Sequence, residues 1–435
     1  MNPNRLQVGI DFSHQRADVC LLFPDGQLLL DHQAFANSKP GYQKARQVLL
    51  DQLRTHPFSG VDVSGEATSY YWFPFFWHMT HDPELQACDL SLFLLNPRQV
   101  YWFKRSLPPD DKTDDVDPFY IAERTRTRRP NAPWQPQDEW LPLRFYTRLR
   151  FHLAQALTRE KNYYLIHLFL LHNAYQRKRP FSDPFGVTSQ KVLGGSKSWA
   201  ELVQLPVEEL AEQLDEWSGS TLDDPLDTAQ KLQQVAQDSF TLDEPLLTPV
   251  QHILELTQAH ITFLEAQMQQ VEGWIADQVQ TCRPEVACLA TVPGVGLVLA
   301  AGITAEIGDL QRFFHTPKWD KHHKRYRLRT QREVEDAVAK LAGLWWPRAE
   351  SGDFAAEDRH LAKTGNRYLR YYFVQAANGM RRHIPAYTQF YALKFREATH
   401  HKHKRALVLS ARKSVGLFVA LLHRKEAFRS KVVGS

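Results

Sequence analysis

Four carboxylates in the first quarter of the chain are spaced as a metal-binding set. Asp11 ends the apolar run VGID, Glu66 ends VDVSGE, and Asp114 and Asp117 follow SLFLLNP after a charged loop. Apolar runs that each deliver an acid near their end predict a sheet presenting carboxylates at one edge. Such carboxylates repel one another unless a cation holds them, and Mg²⁺ prefers hard oxygen ligands. The pattern therefore predicts a Mg²⁺ site suited to phosphoryl transfer.

A second group of residues with possible chemistry surrounds Ser351 in the segment LAGLWWPRAESGDF. A serine hydroxyl beside cations and a glycine could attack a phosphate, because cations stabilise charge developing on the phosphoryl oxygens. No G-x-S-x-G elbow is present, so a hydrolase triad is not expected. From the residues alone, a turn serine is the favoured interpretation. The flanking cations are Arg348, Arg359, Lys363, Arg367 and Arg370.

The elements that must position the carboxylates are predicted from residues 6–97. Three short β segments fill 6–35, an amphipathic helix is expected over 39–55, and buried strands are expected at VDVSGE and DLSLFLLNP, with a helix between them. This order is that of the ribonuclease H-like fold. If a helix begins near Thr113, Asp114 and Asp117 share one face. A start such as VGIDFS also occurs in actin-like ATPases, but no second phosphate loop or adenosine motif follows.

The rest of the chain is predicted to be mostly helical. A Pro-rich, charged loop and boundary fall at 106–145, and a long helix is expected over 145–178. Residues 254–275 carry an apolar a/d seam, which predicts either a coiled coil or a helix packed on the protein's own core. The seam consists of Leu254, Ile261, Leu264, Met268, Val271 and Ile275.

Charge is unevenly distributed and indicates a polyanionic partner. Residues 281–435 hold 28 Lys and Arg against 13 Asp and Glu, whereas residues 1–280 hold 25 against 36. A basic half joined to an acidic metal-site half is typical of a nucleic-acid enzyme. In LATVPGVGLVLAAGI, Gly294 and Gly296 predict a helix-hairpin-helix that binds phosphate through backbone N–H groups, the alternative being a tight turn between core helices. The cations Lys324, Arg325 and Arg327 are further candidate contacts.

The sequence does not favour a membrane protein. Residues 286–305 are uncharged, but Pro293 and Gly294 interrupt them, so a membrane-spanning helix is not expected. The four cysteines show no CxxC spacing, and no secretory signal pattern is seen at the start, so a reduced, cytoplasmic setting is expected.

Eight ordered segments resemble the insertion-sequence 110 family of transposases, to which the Piv-type DNA invertases are related. The segments are VGID, SGEATSYYW, NPRQVYWFK, KTDDVD, LATVPGVG, LAGLWWPRAESG, KTGNRYLR and ALVLSARK. The resemblance runs from near residue 7 to near residue 428 and is poor over about 130–250. Two departures stand out: Pro118 replaces the usual alanine after the last acid, and the charged insert within 314–341 is longer than usual.

The resemblance implies a RuvC-like domain over 1–145, a helical linker with a coiled coil over 146–281, and a basic transposase domain over 282–435. It implies an α/β plus α fold and a DEDD tetrad at Asp11, Glu66, Asp114 and Asp117 that binds Mg²⁺. It also implies that Ser351 forms a covalent link to DNA. The partners implied are donor and target DNA, a bridging noncoding RNA, and further copies in a dimer or tetramer. The alternatives are a Holliday-junction-type endonuclease, in which the tetrad activates water, and a non-catalytic nucleic-acid-binding protein.

Overall fold

The computed structural model separates the chain into two compact units. The first comprises Met1–Asp138 and Gln311–Thr330, and the second comprises Glu139–Leu310 and Gln331–Ser435. The described residues are 4–106, 117–128, 130, 133–136, 139–193, 199–280, 284–320, 322–347, 350–351, 354–355, 361–362 and 364–429.

Within these ranges the strands are β1 (Arg5–Phe12), β2 (Arg16–Leu22), β3 (Leu28–Ala36), β4 (Gly60–Glu66), β5 (Leu90–Leu95), β6 (Lys318–Asp320), β7 (Arg325–Arg327), β8 (Glu350–Ser351) and β9 (Phe354–Ala355). The helices are α1 (Lys39–Thr55), α2 (Phe73–Thr80), α3 (Pro83–Ala87), α4 (Pro97–Lys104), α5 (Asp117–Thr127), α6 (Leu141–Leu171), α7 (Tyr175–Lys178), α8 (Val187–Leu193), α9 (Trp199–Gln204), α10 (Val207–Ser218), α11 (Pro225–Asp238), α12 (Glu244–Gln280), α13 (Pro284–Ala290), α14 (Leu297–Ile307), α15 (Gln311–His315), α16 (Gln331–Leu341), α17 (Arg367–His383), α18 (Pro385–Glu397) and α19 (Lys402–Arg424).

A five-stranded mixed sheet forms the centre of the first unit. Its order is β3-β2-β1-β4-β5. The first three strands are antiparallel neighbours, whereas β4 runs parallel to both β1 and β5. The predicted order of strands and helices is confirmed, except that two helices, α2 and α3, connect β4 to β5. This mixed α/β architecture fits the ribonuclease H-like fold expected from the sequence.

Helices cover both faces of this sheet. Leu6, Val8 and Ile10 of β1 point to one face, where they join a buried cluster with residues of α1 and α2. On the opposite face, Cys20 and Leu22 of β2 pack with Ala122 of α5. Because both faces are covered, the strands are buried on both sides, and the buried charges Arg5 and Asp62 pair with each other.

The second unit is helical, and its longest two helices, α6 and α12, pack against each other. Five of the six predicted seam positions of α12 are buried within the chain, and Leu254 and Ile261 join a core that includes residues of α6, α7, α8, α10 and α11. The apolar seam of α12 therefore packs against the core of the same chain, which was one of the two predicted arrangements. An intermolecular coiled coil stays a prediction.

The glycine-rich turn between α13 and α14 breaks the uncharged stretch, as predicted. Gly294 has φ +83°, and a Cβ there would lie 2.8 Å from the backbone nitrogen of Met380 in α17. This side of the turn is thus packed against a helix, whereas Gly296, the N-cap residue of α14, has open space at its Cβ position. The helix-hairpin-helix stays a prediction.

One helix in the described residues, α19, has the length and composition to cross a membrane. Half of the most apolar stretch of this helix is buried in the protein. Its Phe418 stacks on Phe373 of α17 with ring centroids 5.8 Å apart. Packing in the core accounts for its apolar character.

Candidate active site

Two of the predicted carboxylates lie at the ends of neighbouring parallel strands. The register pairs Ile10 of β1 with Gly65 of β4, so Asp11 and Glu66 are the next residue of each strand. Residues in parallel register point to the same face of a sheet. The fold therefore places both acids side by side on the face that α5 covers.

Helix α5 brings the third carboxylate to this edge. It packs closely on β1 because Gly9 has no side chain: a Cβ there would overlap the carbonyl oxygen of Pro118 and lie 2.6 Å from the nitrogen of Ala122. A hydrogen bond of 2.6 Å from Ser64 Oγ to Thr125 Oγ1 ties β4 to the same helix. Asp117, the first residue of α5, is thereby held near Asp11.

Pro118, which departs from the family pattern, is compatible with this arrangement. It occupies the second position of α5, in the first turn, where a missing N–H removes no intrahelical hydrogen bond. Its carbonyl oxygen is the atom nearest to the position that a Cβ of residue 9 would occupy. Asp114 and the predicted helix start near Thr113 lie outside the described residues.

A lysine that the sequence analysis did not single out lies within this carboxylate group. Lys104, the last residue of α4, places its Nζ 2.5 Å from Oδ1 of Asp117. Its side chain is one-quarter exposed. A lysine at the end of a helix usually faces solvent, so its position did not predict a contact with the carboxylates. Its place in the segment NPRQVYWFK was the one sequence signal that pointed to it.

The electrostatics of Asp11 reflect this crowding. Burial, followed by the negative charges of Asp117 and Glu66, raises the pKa of Asp11 to about 6 against the lowering effect of Lys104. Repulsion among carboxylates favours either protonation or a bound cation. The expectation that these acids interact is thus consistent with their placement.

A fourth acidic side chain, missed in the sequence, also acts on this pKa. Asp18 of β2 is the antiparallel partner of Asp11 in the sheet. It is almost fully buried, and its carboxylate accepts hydrogen bonds from Arg16 and lies 2.9 Å from Nε2 of His32. Asp18 is therefore occupied by cationic or polar partners, which distinguishes it from Asp11.

The donor set fits a hard divalent cation in chemical type. Asp11, Glu66 and Asp117 offer carboxylate oxygens, as Mg²⁺ prefers, and no soft ligand is among them. Among the described residues, no three acid, histidine or cysteine side chains come close enough together to hold one ion. The described residues therefore offer ligands of the right chemical type for Mg²⁺, but they do not form a complete set of ligands around one ion.

Ser351 lies in the second unit, at the end of the short strand β8. It pairs with Phe354 of β9 in a two-stranded hairpin. The neighbouring cations Arg348, Arg359 and Lys363 lie outside the described residues. Arg370 is on α17, where its Nη1 donates to the carbonyl oxygen of Ala342 at 3.3 Å, and burial lowers its pKa.

The start of α17, within residues 364–370, is held by a buried carboxylate that no sequence pattern predicted. Asn366 caps α17 by accepting from the backbone nitrogens of Tyr368 and Leu369, and its Nδ2 donates to Glu306 Oε2 at 2.5 Å. Glu306 is 3% exposed, and Arg148 of α6 donates to both of its oxygens at 2.7 and 2.9 Å. The hydrogen bond from Asn366 to this paired carboxylate ties the start of α17 to α14.

The predicted contacts Lys324, Arg325 and Arg327 lie on a β-hairpin made by β6 and β7. Lys324, with φ +48°, is in the turn, and Arg325 and Arg327 begin and end β7. Trp319 of β6 and Tyr326 of β7, which were not predicted as site residues, are register partners in this hairpin.

Comparisons with known proteins give two matches along the chain. Residues 8–172 match a family model for the DEDD transposases of the IS110 type, described as "Transposase". Residues 328–392 match a second model, described as "Transposase IS116/IS110/IS902 family". The first match contains all four predicted carboxylates and the second contains Ser351. A search of curated proteins found no match.

Proposed function

The chain belongs to the IS110 family of transposases and is an enzyme that processes DNA; from this premise we propose that it is a site-specific recombinase that cuts and rejoins DNA through a covalent serine link. The observation that carries the proposal is the shared location of Asp11, Glu66 and Asp117 in the fold. Strand register and the Gly9 contact bring these acids from three elements to one sheet edge.

Asp11, Glu66 and Asp117, with Asp114, are proposed to hold Mg²⁺. The bound ion would supply positive charge near the phosphoryl oxygens. The carboxylates themselves orient that charge, and the packing of α5 on Gly9 keeps Asp117 in place. Lys104 neutralises part of the acidic group, since it contacts Asp117 directly.

Ser351 is proposed as the nucleophile. Its Oγ would form a bond to phosphorus as the bond from phosphorus to one deoxyribose oxygen breaks, and the departing oxygen takes up a proton while the serine loses one. The number of phosphoester bonds is conserved, so rejoining needs no external energy source. The support is the resemblance of the segment ending in Ser351-Gly352 to the family's serine motif.

A bridging noncoding RNA and a homo-oligomer complete the proposal. Both rest on the family resemblance. The strongly basic C-terminal part suits a polyanion. Leu256 and Phe263 of α12 are 74% and 57% exposed and lie seven residues apart on one face, which suits a contact between copies. Sequencing of RNA that co-purifies with the protein tests the first partner: an RNA from the flanks of the gene is expected.

The deciding experiment compares the parent protein with Ser351→Ala and Asp11→Asn. The parent, denatured after reaction with a cognate DNA and Mg²⁺, is expected to carry DNA on a peptide containing Ser351. Both variants should bind DNA and yield no recombinant. An adduct on another residue, or recombination by Ser351→Ala, would contradict the serine assignment. Metal-dependent cutting without any adduct would favour the Holliday-junction-type endonuclease instead.

A further inference from the structure

The hairpin β6–β7 exposes two large aromatic side chains side by side. Trp319 and Tyr326 are register partners, and their ring centroids lie 5.1 Å apart at an interplanar angle of 67°. Trp319 is 47% exposed and Tyr326 is 70% exposed. Aromatic pairs usually contribute to a core, so a pair left in solvent on a two-stranded hairpin marks an interaction surface.

The hairpin is ordered by its own turn. The carboxylate of Asp320 accepts hydrogen bonds from the backbone nitrogens of His322 and His323 at 2.9 and 3.3 Å, and its Oδ2 lies 3.0 Å from Nδ1 of His323. The side-chain contact with His323, followed by these backbone donors, lowers the pKa of Asp320 to about 2. Arg327 Nε also donates to this carboxylate at 3.4 Å. The aromatic pair is thus presented on a preformed support.

The charge around the pair is strongly positive. Residues 318–329 contain six Lys and Arg against Asp320 as the single acid. The side chains of Lys324 and Arg325 are exposed. Alternation along the strands puts Lys318, Asp320, Arg325 and Arg327 on the face opposite the rings. An aromatic face backed by cations complements a partner that combines flat rings with phosphates.

The hairpin belongs to the same compact unit as Asp11, Glu66 and Asp117. It also lies between the two segments matched by the family models, which end at residue 172 and begin again at residue 328. It is therefore a feature of this chain that neither match explains.

We infer that the hairpin binds unpaired DNA, with one or more bases stacked on Trp319 and Tyr326 and with phosphates contacted by Lys324 and Arg325. Bases in a duplex are already stacked on each other, whereas unpaired bases offer free faces to aromatic side chains. The inference rests on the proposed function, because exchange of DNA strands requires bases to leave their pairs.

The test measures binding of the full-length protein to a labelled single-stranded DNA and to the duplex of the same sequence, over a range of salt. The double variant Trp319→Ala/Tyr326→Ala should bind the single strand about tenfold more weakly, with little change for the duplex and an unchanged salt slope. Lys324→Ala/Arg325→Ala should instead reduce the salt slope on both DNAs.

Two controls separate stacking from general damage. Trp319→Phe/Tyr326→Phe keeps two aromatic faces and should retain most of the affinity for the single strand. Phe240→Ala removes an aromatic side chain that is 80% exposed in the second unit and should change nothing. Circular dichroism of each variant checks that the fold is kept.

The outcomes are distinguishable. Equal weakening on single strand and duplex, or no weakening, would overturn the stacking role while the salt-dependent binding of DNA, and with it the proposed function, stands. Binding to a single-stranded RNA of the same sequence is measured alongside; an effect of the aromatic variant confined to this RNA would also overturn the inference, because the hairpin would then serve an RNA. A parent protein that binds no DNA would remove both the inference and the proposed function.

Discussion

The ammonium group of Lys104 lies 2.5 Å from a carboxylate oxygen of Asp117, so a cation from the chain itself occupies part of the acidic edge. A divalent ion bound there would compete with this ion pair. We predict that Lys104→Met binds Mn²⁺ more tightly than the parent does, by about three- to tenfold, because a nearby positive charge is removed. Isothermal titration calorimetry without DNA measures this. Arg105→Met, the matched control, should have the parent's affinity, and unchanged or weaker binding by Lys104→Met would contradict the prediction.

Gly9→Ala should displace α5. The added methyl group would overlap the Pro118 carbonyl oxygen, so the helix must move away from β1 and carry Asp117 with it. We expect a loss of about 1–3 kcal/mol in the free energy of unfolding, as for other overpacked cores, together with loss of recombination. Urea denaturation measures the first. Gly273→Ala in α12 is the control, since nothing lies within 4 Å of its Cβ position; equal effects of the two substitutions would argue against a tight α5 contact.

Stability should depend on the protonation of Asp11. Its pKa is about 6 in the folded protein against an ordinary value of 3.8. The folded state therefore holds the proton more tightly, and this group's contribution to stability is lost as pH rises from about 4 to 6. Asp11→Asn should be more stable than the parent at pH 7.5 by about 1–3 kcal/mol and equal to it near pH 4, without divalent metal.

Urea denaturation at the two pH values measures this difference. Asp51→Asn, at a half-exposed surface acid, is the control. An Asp11→Asn protein that is less stable than the parent at pH 7.5 would rule out an unfavourable environment for this carboxylate.

The exposed apolar face of α12 should be needed for assembly. Leu256→Glu/Phe263→Glu is expected to lower the molecular mass in solution, because charge is introduced where copies are proposed to meet. The seam residue Ile261 is unsuitable for this test, since it is 1% exposed inside the core. Light scattering coupled to size-exclusion chromatography measures the mass. Gln269→Glu, an exposed position on another face of the same helix, should leave it unchanged.

Much of the first unit could be predicted because its signals are local. Apolar runs ending in acids located β1 and β4, and the bounds of the predicted helix over 39–55 coincide with those of α1. The neighbouring places of Asp11 and Glu66 follow from strand order. The contact of Lys104 with Asp117 could not be predicted, since it depends on how two helices pack and on the extension of a flexible side chain.

The sequence also did not predict which surface packs against a buried helix face or a turn. A heptad pattern shows that one face of a helix is buried but does not identify the partner; here α6 of the same chain fills the seam of α12. Likewise, a Pro-Gly-x-Gly turn serves equally well against a phosphate or a helix. Gly294 lies against the backbone of α17, and only the spatial arrangement reveals it.

The partnership of α6 with α12 has a consequence for dividing the protein. The family match over residues 8–172 ends just after α6, but the N-terminal segment of the first compact unit ends at Asp138. A fragment that ends at residue 172 would contain the 31-residue helix α6 without α12. Tyr164 and Leu168, which are 1% and 3% exposed in the whole chain, would then face water. Such a fragment should aggregate, whereas α6 retained with the remainder of the chain keeps these side chains covered. The segment that the family model matches, residues 8–172, therefore does not coincide with a unit that can fold by itself.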